Sequence, residues 1–207
     1  MDNGGLGFSA TSYVEVYDEP DHNVCLSNRF IYAYKVQIPP GKQTLWHRHS
    51  KDTVYLSLGA ATAGEELVSG EQVITDIPCG AAVGRQHFEE PLIHKVTNVG
   101  CNPFFLIGIE AHAPGRRTEH KRSFSESCHL VFETERFEVF NVSVDVITEV
   151  SFPACALLVS KTAATVDLPA DGKTISVKLR QGEVYWFEEE TVVALRGGHR
   201  SFVVVLL

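Results

Sequence analysis

The chain has 207 residues, of which 44% are hydrophobic and 21% are charged, and its formal net charge is −8 at pH 7. This composition supplies enough apolar side chain for a packed core and excludes a chain that is disordered throughout, because disorder requires low hydrophobicity with high net charge. No apolar run approaches the roughly 18 residues that a membrane-spanning helix needs, and the acidic balance argues against nucleic acid as a partner. The length suits one large all-β domain or two domains of roughly 100 residues each.

The cysteines and the amino-terminal stretch bear on the compartment. The five cysteines are Cys25, Cys79, Cys101, Cys128 and Cys155. None of them forms a C-x-x-C pair, and an odd, dispersed set is typical of reduced thiols inside a cell. The first twelve residues are glycine-rich and lack a basic region followed by an apolar one, so no secretory signal is visible. We therefore predict a cytoplasmic protein.

Short β-branched and aromatic runs alternate with turn residues along most of the chain. Strands are predicted at 30–38, 53–58, 72–77, 93–98 and 104–109. Pro39 and Pro40 end the first of them, because a proline cannot donate to a strand ladder. Glycine-containing turns at Gly70, Gly80 and Gly100 separate the others. No window shows helical spacing, so the pattern predicts an all-β sandwich or barrel.

A faint internal repeat divides the chain into two similar halves. Arg29-Phe30 recurs as Arg136-Phe137, Ala60-Ala61-Thr62 recurs as Ala163-Ala164-Thr165, and Phe88-Glu89-Glu90 recurs as Phe187-Glu188-Glu189. The offset between the copies shrinks steadily, as expected when the second copy has shorter loops. A polar stretch with a basic run lies between them. We predict an N-terminal unit over 13–111, a linker over 112–129 and a C-terminal unit over 130–207.

The sharpest chemical feature is the pair of histidines in His47-Arg48-His49. Side chains on a strand alternate with period 2, so both imidazoles project to the same side. Neutral imidazoles that face one way suit a divalent transition metal. A third histidine, His94, lies on another predicted strand.

The spacing of these residues resembles two motifs of one family. Gly41, five further residues and His47-x-His49 resemble the first motif of the cupin superfamily, and His94-x-x-x-Asn98 resembles the close of its second motif. Together with the repeat, the whole chain is similar to a bicupin. The resemblance implies an all-β fold of two tandem cupin (jelly-roll) β-barrels. It also implies one divalent transition metal, bound by His47, His49 and His94 in the N-terminal barrel.

The chain departs from the usual cupin pattern at the acidic ligand. Cupins usually place a glutamate four or five residues after the second histidine, where this chain has Thr53 and Val54. Asp52 is an odd number of residues from His49, so it points away from the metal on a regular strand, and only a bulge would bring it round. The pattern therefore resembles the three-histidine iron sites of thiol and diketone dioxygenases. Iron is the preferred ion, with zinc, manganese, nickel and copper as alternatives.

Three further residues are candidates for the pocket around the metal. Thr53 and Tyr55 share the face of His49 and are expected to line the cavity. His87 is a candidate fourth ligand or pocket acid, with a plain surface histidine as the alternative. Whether Asp52 or His87 joins the metal site stays open at this stage.

The second half lacks the same ligands. When the repeat offsets are applied, His47 falls opposite Val150, His49 opposite Phe152 and His94 opposite Val193. All three positions are apolar, so we predict that the C-terminal barrel binds no metal and acts as a structural unit.

The function that this resemblance favours is a metal-dependent bicupin acting on a small molecule, with a mononuclear iron dioxygenase as the preferred class. The alternatives are a zinc- or other metal-dependent cyclase or isomerase, and a non-catalytic bicupin that binds a small ligand. The cupin fold does not choose among them, because a fold does not determine a reaction. The predicted partner is a small-molecule substrate or ligand, without nucleic acid or membrane, and the predicted state is a monomer or homodimer.

Overall fold

A computed structural model describes residues 12–115, 127–170 and 173–207. Apart from one 3-10 turn at Val16–Asp18, the regular elements of these ranges are β-strands. The first half contains β1 (Val14–Glu15), β2 (His22–Ser27), β3 (Ile31–Ile38), β4 (His47–His49), β5 (Thr53–Ser57), β6 (Ala61–Leu67), β7 (Gln72–Ile77), β8 (Ala82–Arg85), β9 (Leu92–Asn98) and β10 (Phe104–Ala111). The second half contains β11 (Cys128–Glu133), β12 (Phe137–Val144), β13 (Thr148–Phe152), β14 (Ala156–Ser160), β15 (Ala164–Ala170), β16 (Lys173–Leu179), β17 (Val184–Phe187), β18 (Thr191–Leu195) and β19 (His199–Leu206).

The strands of the first half form two five-stranded sheets. One sheet has the order β1-β4-β9-β6-β7, and the other has the order β2-β3-β10-β5-β8. Alternation along β3 sends Tyr32, Tyr34 and Val36 into the space between these sheets, while Ile31 and Ala33 face the other way. We call this pair of sheets the first sandwich.

The second half repeats the same topology. Its sheets have the orders β11-β12-β19-β14-β17 and β13-β18-β15-β16, and only β1 lacks a counterpart. We call this pair the second sandwich. Two copies of one jelly-roll topology in tandem confirm the predicted fold class. In both halves of the described chain the two sheets remain separate, so each jelly roll is a two-sheet sandwich.

The two sandwiches share a hydrophobic core. The outer face of the β2-β3-β10-β5-β8 sheet packs against the β11-β12-β19-β14-β17 sheet, and both contribute to one cluster of buried side chains. Phe30 stacks on Trp186 with ring centroids 5.9 Å apart, and the Gln181 side chain donates to the Leu58 carbonyl at 2.8 Å. Burial of apolar surface contributes about 25 cal/mol per Å², so this interface stabilises both halves.

The five strands predicted from the sequence all occur, as β3, β5, β7, β9 and β10, within one or two residues at each end. Gly41 follows the two prolines that end β3 and has φ of 75°, a conformation that glycine adopts readily. Of the predicted linker, residues 116–126 lie outside the described residues, and β11 begins at Cys128 inside its predicted range. The division at 112–129 therefore stays a prediction.

No helix in the described ranges is long and apolar enough to cross a membrane.

Candidate metal centre

The two histidines of β4 point into the first sandwich. His47 and His49 are each 1% exposed, whereas Arg48 between them faces outward and pairs with Glu15 at 2.7 Å. β9 runs antiparallel beside β4 and places His94 directly opposite His47. Two adjacent strands therefore bring three imidazoles together between the sheets.

The three imidazoles converge closely enough to bind one ion. One ring nitrogen from each of His47, His49 and His94 lies within 4.8 Å of the others, and the Nε2 atoms of His47 and His94 are 3.0 Å apart. The Nδ1 atom of His47 is 3.0 Å from the Leu45 carbonyl oxygen, and that of His94 is 2.5 Å from a Glu65 carboxylate oxygen. Because these oxygens accept, each Nδ1 donates and each Nε2 keeps its lone pair for a ligand bond.

His49 has two polar neighbours at its Nδ1 atom. The Tyr55 hydroxyl lies 3.3 Å away, and a carboxylate oxygen of Glu110 lies 3.5 Å away. Glu110 is fully buried within β10, and burial raises the pKa of its carboxyl to about 7. The Tyr55 hydroxyl is the hydrogen-bond partner that orients the His49 ring, as the Leu45 carbonyl and the Glu65 carboxylate orient the other two.

Burial keeps the imidazoles of His47 and His49 neutral. It lowers the pKa of His47 to about 3 and that of His49 well below its ordinary value, with the neighbouring His94 as the second cause in both cases. Burial also lowers the pKa of His22 and of His87 to about 4. Neutral imidazole is the form that binds a metal, so these shifts favour metal binding over protonation.

The histidines lie in the wall of a cavity of about 350 Å³ inside the first sandwich. Most of the remaining wall is apolar, with Val36 and Ile38 from β3 and Phe104 and Leu106 from β10 among its residues. Its volume lies within the range that small-molecule sites occupy. A metal bound by the three histidines would therefore face a largely apolar chamber.

Two of the three pocket candidates line this cavity. Tyr55 and His87 do so, and the Tyr55 hydroxyl is also 3.3 Å from the Nε2 atom of His87. Thr53 is not among the residues of the cavity wall. It lies at the start of β5, and its hydroxyl donates to the Lys51 carbonyl at 2.8 Å.

Neither Asp52 nor His87 belongs to the group of side chains whose ligand atoms lie close enough to bind one ion together. The Asp52 carboxylate accepts a hydrogen bond from the Phe88 backbone N–H at 3.1 Å, on the wall of a separate surface pocket. The His87 ring is close, with its centroid 5.3 Å from that of His49. The described residues contain one group of three or more possible ligands within metal-binding distance, and its members are His47, His49 and His94.

Four polar residues around the site were not predicted from the sequence: His22, Tyr34, Glu65 and Glu110. Glu110 could have been found from the sequence. It falls on the inward-facing side of the apolar run 104–111, so its carboxyl must be buried and needs a buried partner. Glu65 had no such signal, since it is one of two adjacent glutamates. Only the pairing of β6 with β9 shows that it faces His94.

The second sandwich places apolar side chains at the corresponding positions. Val150 on β13 lies opposite Val193 on β18, in the register that joins His47 to His94. Val150, Phe152 and Val193 are all buried, and Phe152 stacks on Phe187 with ring centroids 4.8 Å apart. The interior that is hollow in the first sandwich is thus packed with apolar side chains in the second.

No family model and no curated protein matches this sequence. Among solved structures, the salicylate 1,2-dioxygenase from Pseudaminobacter salicylatoxidans is 11% identical, with a TM-score of 0.57 over 88% of this chain and 75% of that one. AerE from Microcystis aeruginosa is 9% identical, with a TM-score of 0.59 over 91% of this chain and 98% of that one. A cupin domain from Bordetella pertussis is 27% identical over 44% of this chain and 92% of that one, with a TM-score of 0.41.

The likeness to the dioxygenase and to AerE extends over both sandwiches and shows the fold alone. It agrees with the two copies of one jelly-roll topology in this chain. The chain has the fold of a bicupin, with a cluster of three histidines in its first jelly roll.

Proposed function

We propose that this bicupin is a metal-dependent enzyme of the mononuclear iron dioxygenase type, with the ion bound by His47, His49 and His94. The observation that carries the proposal is the convergence of three buried imidazoles, within 4.8 Å of one another, on a largely apolar cavity. Three nitrogen ligands leave coordination positions open for a substrate and a second reactant.

The donor set fits a divalent first-row transition metal. Its ligands are three imidazoles, and acceptors at Nδ1 hold the rings of His47 and His94. A bound ion would supply a Lewis acid and, if it is iron, a redox centre. The chain itself orients the ligands and limits the entry of water through the apolar walls of the cavity. Iron is the proposed ion, with zinc, manganese, nickel and copper as alternatives.

The charge of the proposed metal site also favours one class of substrate. Without a carboxylate ligand, the site with a divalent ion carries a net charge of about +2, which favours anionic or chelating molecules. Arg85 on β8 is the single Lys or Arg among the described lining residues, and Glu65 and Asp76 line the same wall, so the attraction for an anion would come from the bound ion itself. Crystals of the salicylate 1,2-dioxygenase contain gentisate, so small hydroxylated aromatic acids are the first compounds to test.

A second candidate function is a zinc-dependent cyclase or isomerase. The same observation supports it, because three histidines with an open position also form a catalytic zinc site. Tyr55 and His87, 3.3 Å apart in the cavity wall, could then hold or pass a proton. A non-catalytic small-ligand-binding role is the third possibility.

An oxygen-uptake screen separates these functions. Protein loaded anaerobically with Fe(II), and a matched sample loaded with Zn(II), are each supplied with small hydroxylated aromatic acids in air-saturated buffer. We expect oxygen uptake by the iron sample alone. Product formation by the zinc sample without oxygen uptake would favour the cyclase or isomerase. Ligand binding without turnover in either sample would favour the binding role.

We further propose that the protein acts in the cytoplasm, as a monomer or homodimer. All five cysteines are free thiols, which supports a reducing compartment.

A further inference from the structure

A row of three residues crosses the cavity side of the β3-β10-β5 sheet. Gly108 on β10 lies opposite Tyr34 on β3 and opposite Tyr55 on β5. A Cβ atom at position 108 would lie 2.3 Å from Cζ and 2.5 Å from the hydroxyl oxygen of Tyr34. The Tyr34 ring therefore lies directly over the glycine, and no side chain larger than hydrogen leaves room for it there.

The Tyr34 hydroxyl is a buried donor without an acceptor. Tyr34 is completely buried, and its hydroxyl forms no hydrogen bond with any part of the chain that the structure describes. The Tyr55 hydroxyl lies nearby and, with burial as the larger cause, raises the pKa of Tyr34, but the two hydroxyls are not aligned for a hydrogen bond. Buried hydroxyls in proteins are almost always paired, so one without a partner in a cavity wall points to a ligand.

The surroundings of Tyr34 connect it to the metal centre. Tyr34 lines the same cavity as the three histidines. Its ring stacks on His22 with centroids 4.7 Å apart, and the His22 ring meets His47 edge-on at 4.9 Å. Tyr55 differs from Tyr34, because its hydroxyl already has His49 and His87 within 3.3 Å. Tyr34 is therefore the tyrosine of the cavity wall whose hydroxyl has no hydrogen-bond partner.

We propose that Tyr34 is a substrate-binding residue, whose hydroxyl donates a hydrogen bond to an oxygen of the molecule that occupies the cavity. The proposal rests on the function proposed above and narrows the substrate to a compound that presents an oxygen acceptor, such as a phenolate, enolate or carbonyl oxygen, to this wall. Gly108 acts as a positioning residue, because it makes the space in which the tyrosine lies.

The test measures binding of 4-nitrocatechol, a coloured chelator with two adjacent phenol oxygens, to protein loaded with Zn(II). The variant is Tyr34→Phe, which keeps the ring and removes one oxygen. The matched control is Tyr32→Phe, because Tyr32 lies on the same strand and face but does not line the cavity. Zinc content and melting temperature are measured for each protein. A second variant, Gly108→Ala, displaces the hydroxyl without removing it.

We expect Tyr34→Phe to bind one zinc ion, to melt at or above the wild-type temperature, and to bind 4-nitrocatechol roughly 10-fold more weakly. Tyr32→Phe should bind the probe like the wild type, and Gly108→Ala should bind it more weakly. Equal probe affinity in Tyr34→Phe and the wild type, at equal zinc content, would overturn the role of Tyr34 and leave the metal site intact. A wild-type protein that binds no zinc, or binds zinc but not the probe, would contradict the proposed function as well.

Discussion

At the scale of single residues, the orientation of His94 depends on one carboxylate. Glu65 accepts from the Nδ1 atom of His94 at 2.5 Å, and this hydrogen bond is the main reason that the pKa of Glu65 is lowered. A carboxylate in this position fixes the tautomer and makes the other nitrogen a better ligand. The neighbouring Glu66 pairs with Lys95 instead.

Replacement of Glu65 should therefore weaken metal binding without removing a ligand. We expect Glu65→Ala to lower zinc affinity by roughly 10- to 100-fold, measured by competition with a chromophoric chelator. Glu66→Ala is the matched control and should bind zinc like the wild type. Equal affinity in the two variants would show that Glu65 does not support His94.

Asp52 should contribute nothing to metal affinity. Its carboxylate accepts from the Phe88 backbone, so Asp52→Asn leaves an acceptor oxygen in place and removes only the charge. We expect unchanged zinc affinity in the same competition assay. A loss of 10-fold or more would show that the segment before β5 rearranges on metal binding and that the site includes a carboxylate.

At the scale of elements, the strands that could be predicted from the sequence are those whose ends are marked by turn residues. The strand 72–77 matches β7 at both ends, and β3 begins one residue later than predicted, because Asn28 accepts from the backbone N–H of Phe30 and Ile31 and sets its start. β6 was not predicted as a strand, since it contains a glycine and two glutamates and shows little β propensity.

Only the part of the candidate site that lies on a single strand could be predicted from a local sequence pattern. His47 and His49 share a face through alternation alone, whereas the placement of His94 relied on the resemblance to a motif. The registers that place Glu65 and Tyr34 near these histidines join strands far apart in sequence, so no local pattern reveals them.

One prediction concerns how much strand β13 of the second sandwich contributes to the stability of the protein. Phe152 is fully buried and occupies the position that corresponds to His49. We expect Phe152→Ala to lower the free energy of unfolding by about 3–5 kcal/mol in urea denaturation. Ile147→Ala is the control, because Ile147 is 67% exposed, and it should change stability by less than about 0.5 kcal/mol. A loss below about 1 kcal/mol in Phe152→Ala would contradict a structural role for this strand.

At the scale of the whole molecule, the two sandwiches share a topology but not an interior. One encloses a cavity with buried polar groups, and the other is filled by apolar side chains. Tyr34 and Tyr55 lie on the cavity side of one sheet, and the opposite face of that sheet forms part of the interface between the sandwiches. We infer that the second sandwich stabilises the wall of the first, which a hollow core alone would support poorly.

The buried histidines should make the metal-free protein sensitive to acid. Burial lowers the pKa of His22, His87 and His199 to about 4, whereas the unfolded chain has values near 6.5. Between these values the unfolded state binds more protons, so the free energy of unfolding decreases as the pH falls from 6.5 towards 4. Glu110, with its pKa raised to about 7, opposes this trend over part of the range, but it is one group against five, because burial also lowers the pKa of His47 and His49.

We therefore expect the free energy of unfolding of the metal-free protein to be lower at pH 5 than at pH 7 by at least about 3 kcal/mol, since one pKa unit corresponds to about 1.4 kcal/mol for each group. Urea denaturation at the two pH values measures this difference. His199→Gln should show a smaller decrease than the wild type, whereas His129→Gln, which changes an exposed histidine, should show the same decrease. Equal stability at both pH values would contradict the burial of these imidazoles.

The measurement that tests the metal centre most directly is the metal content of protein purified without added metal, compared with three single variants and one control. We expect about one divalent transition metal ion per chain in the wild type and in His199→Ala, because His199 is a buried histidine of the second sandwich. His47→Ala, His49→Ala and His94→Ala should each lose most of the metal while remaining folded. Full metal content in any of these three variants would contradict the three-histidine site.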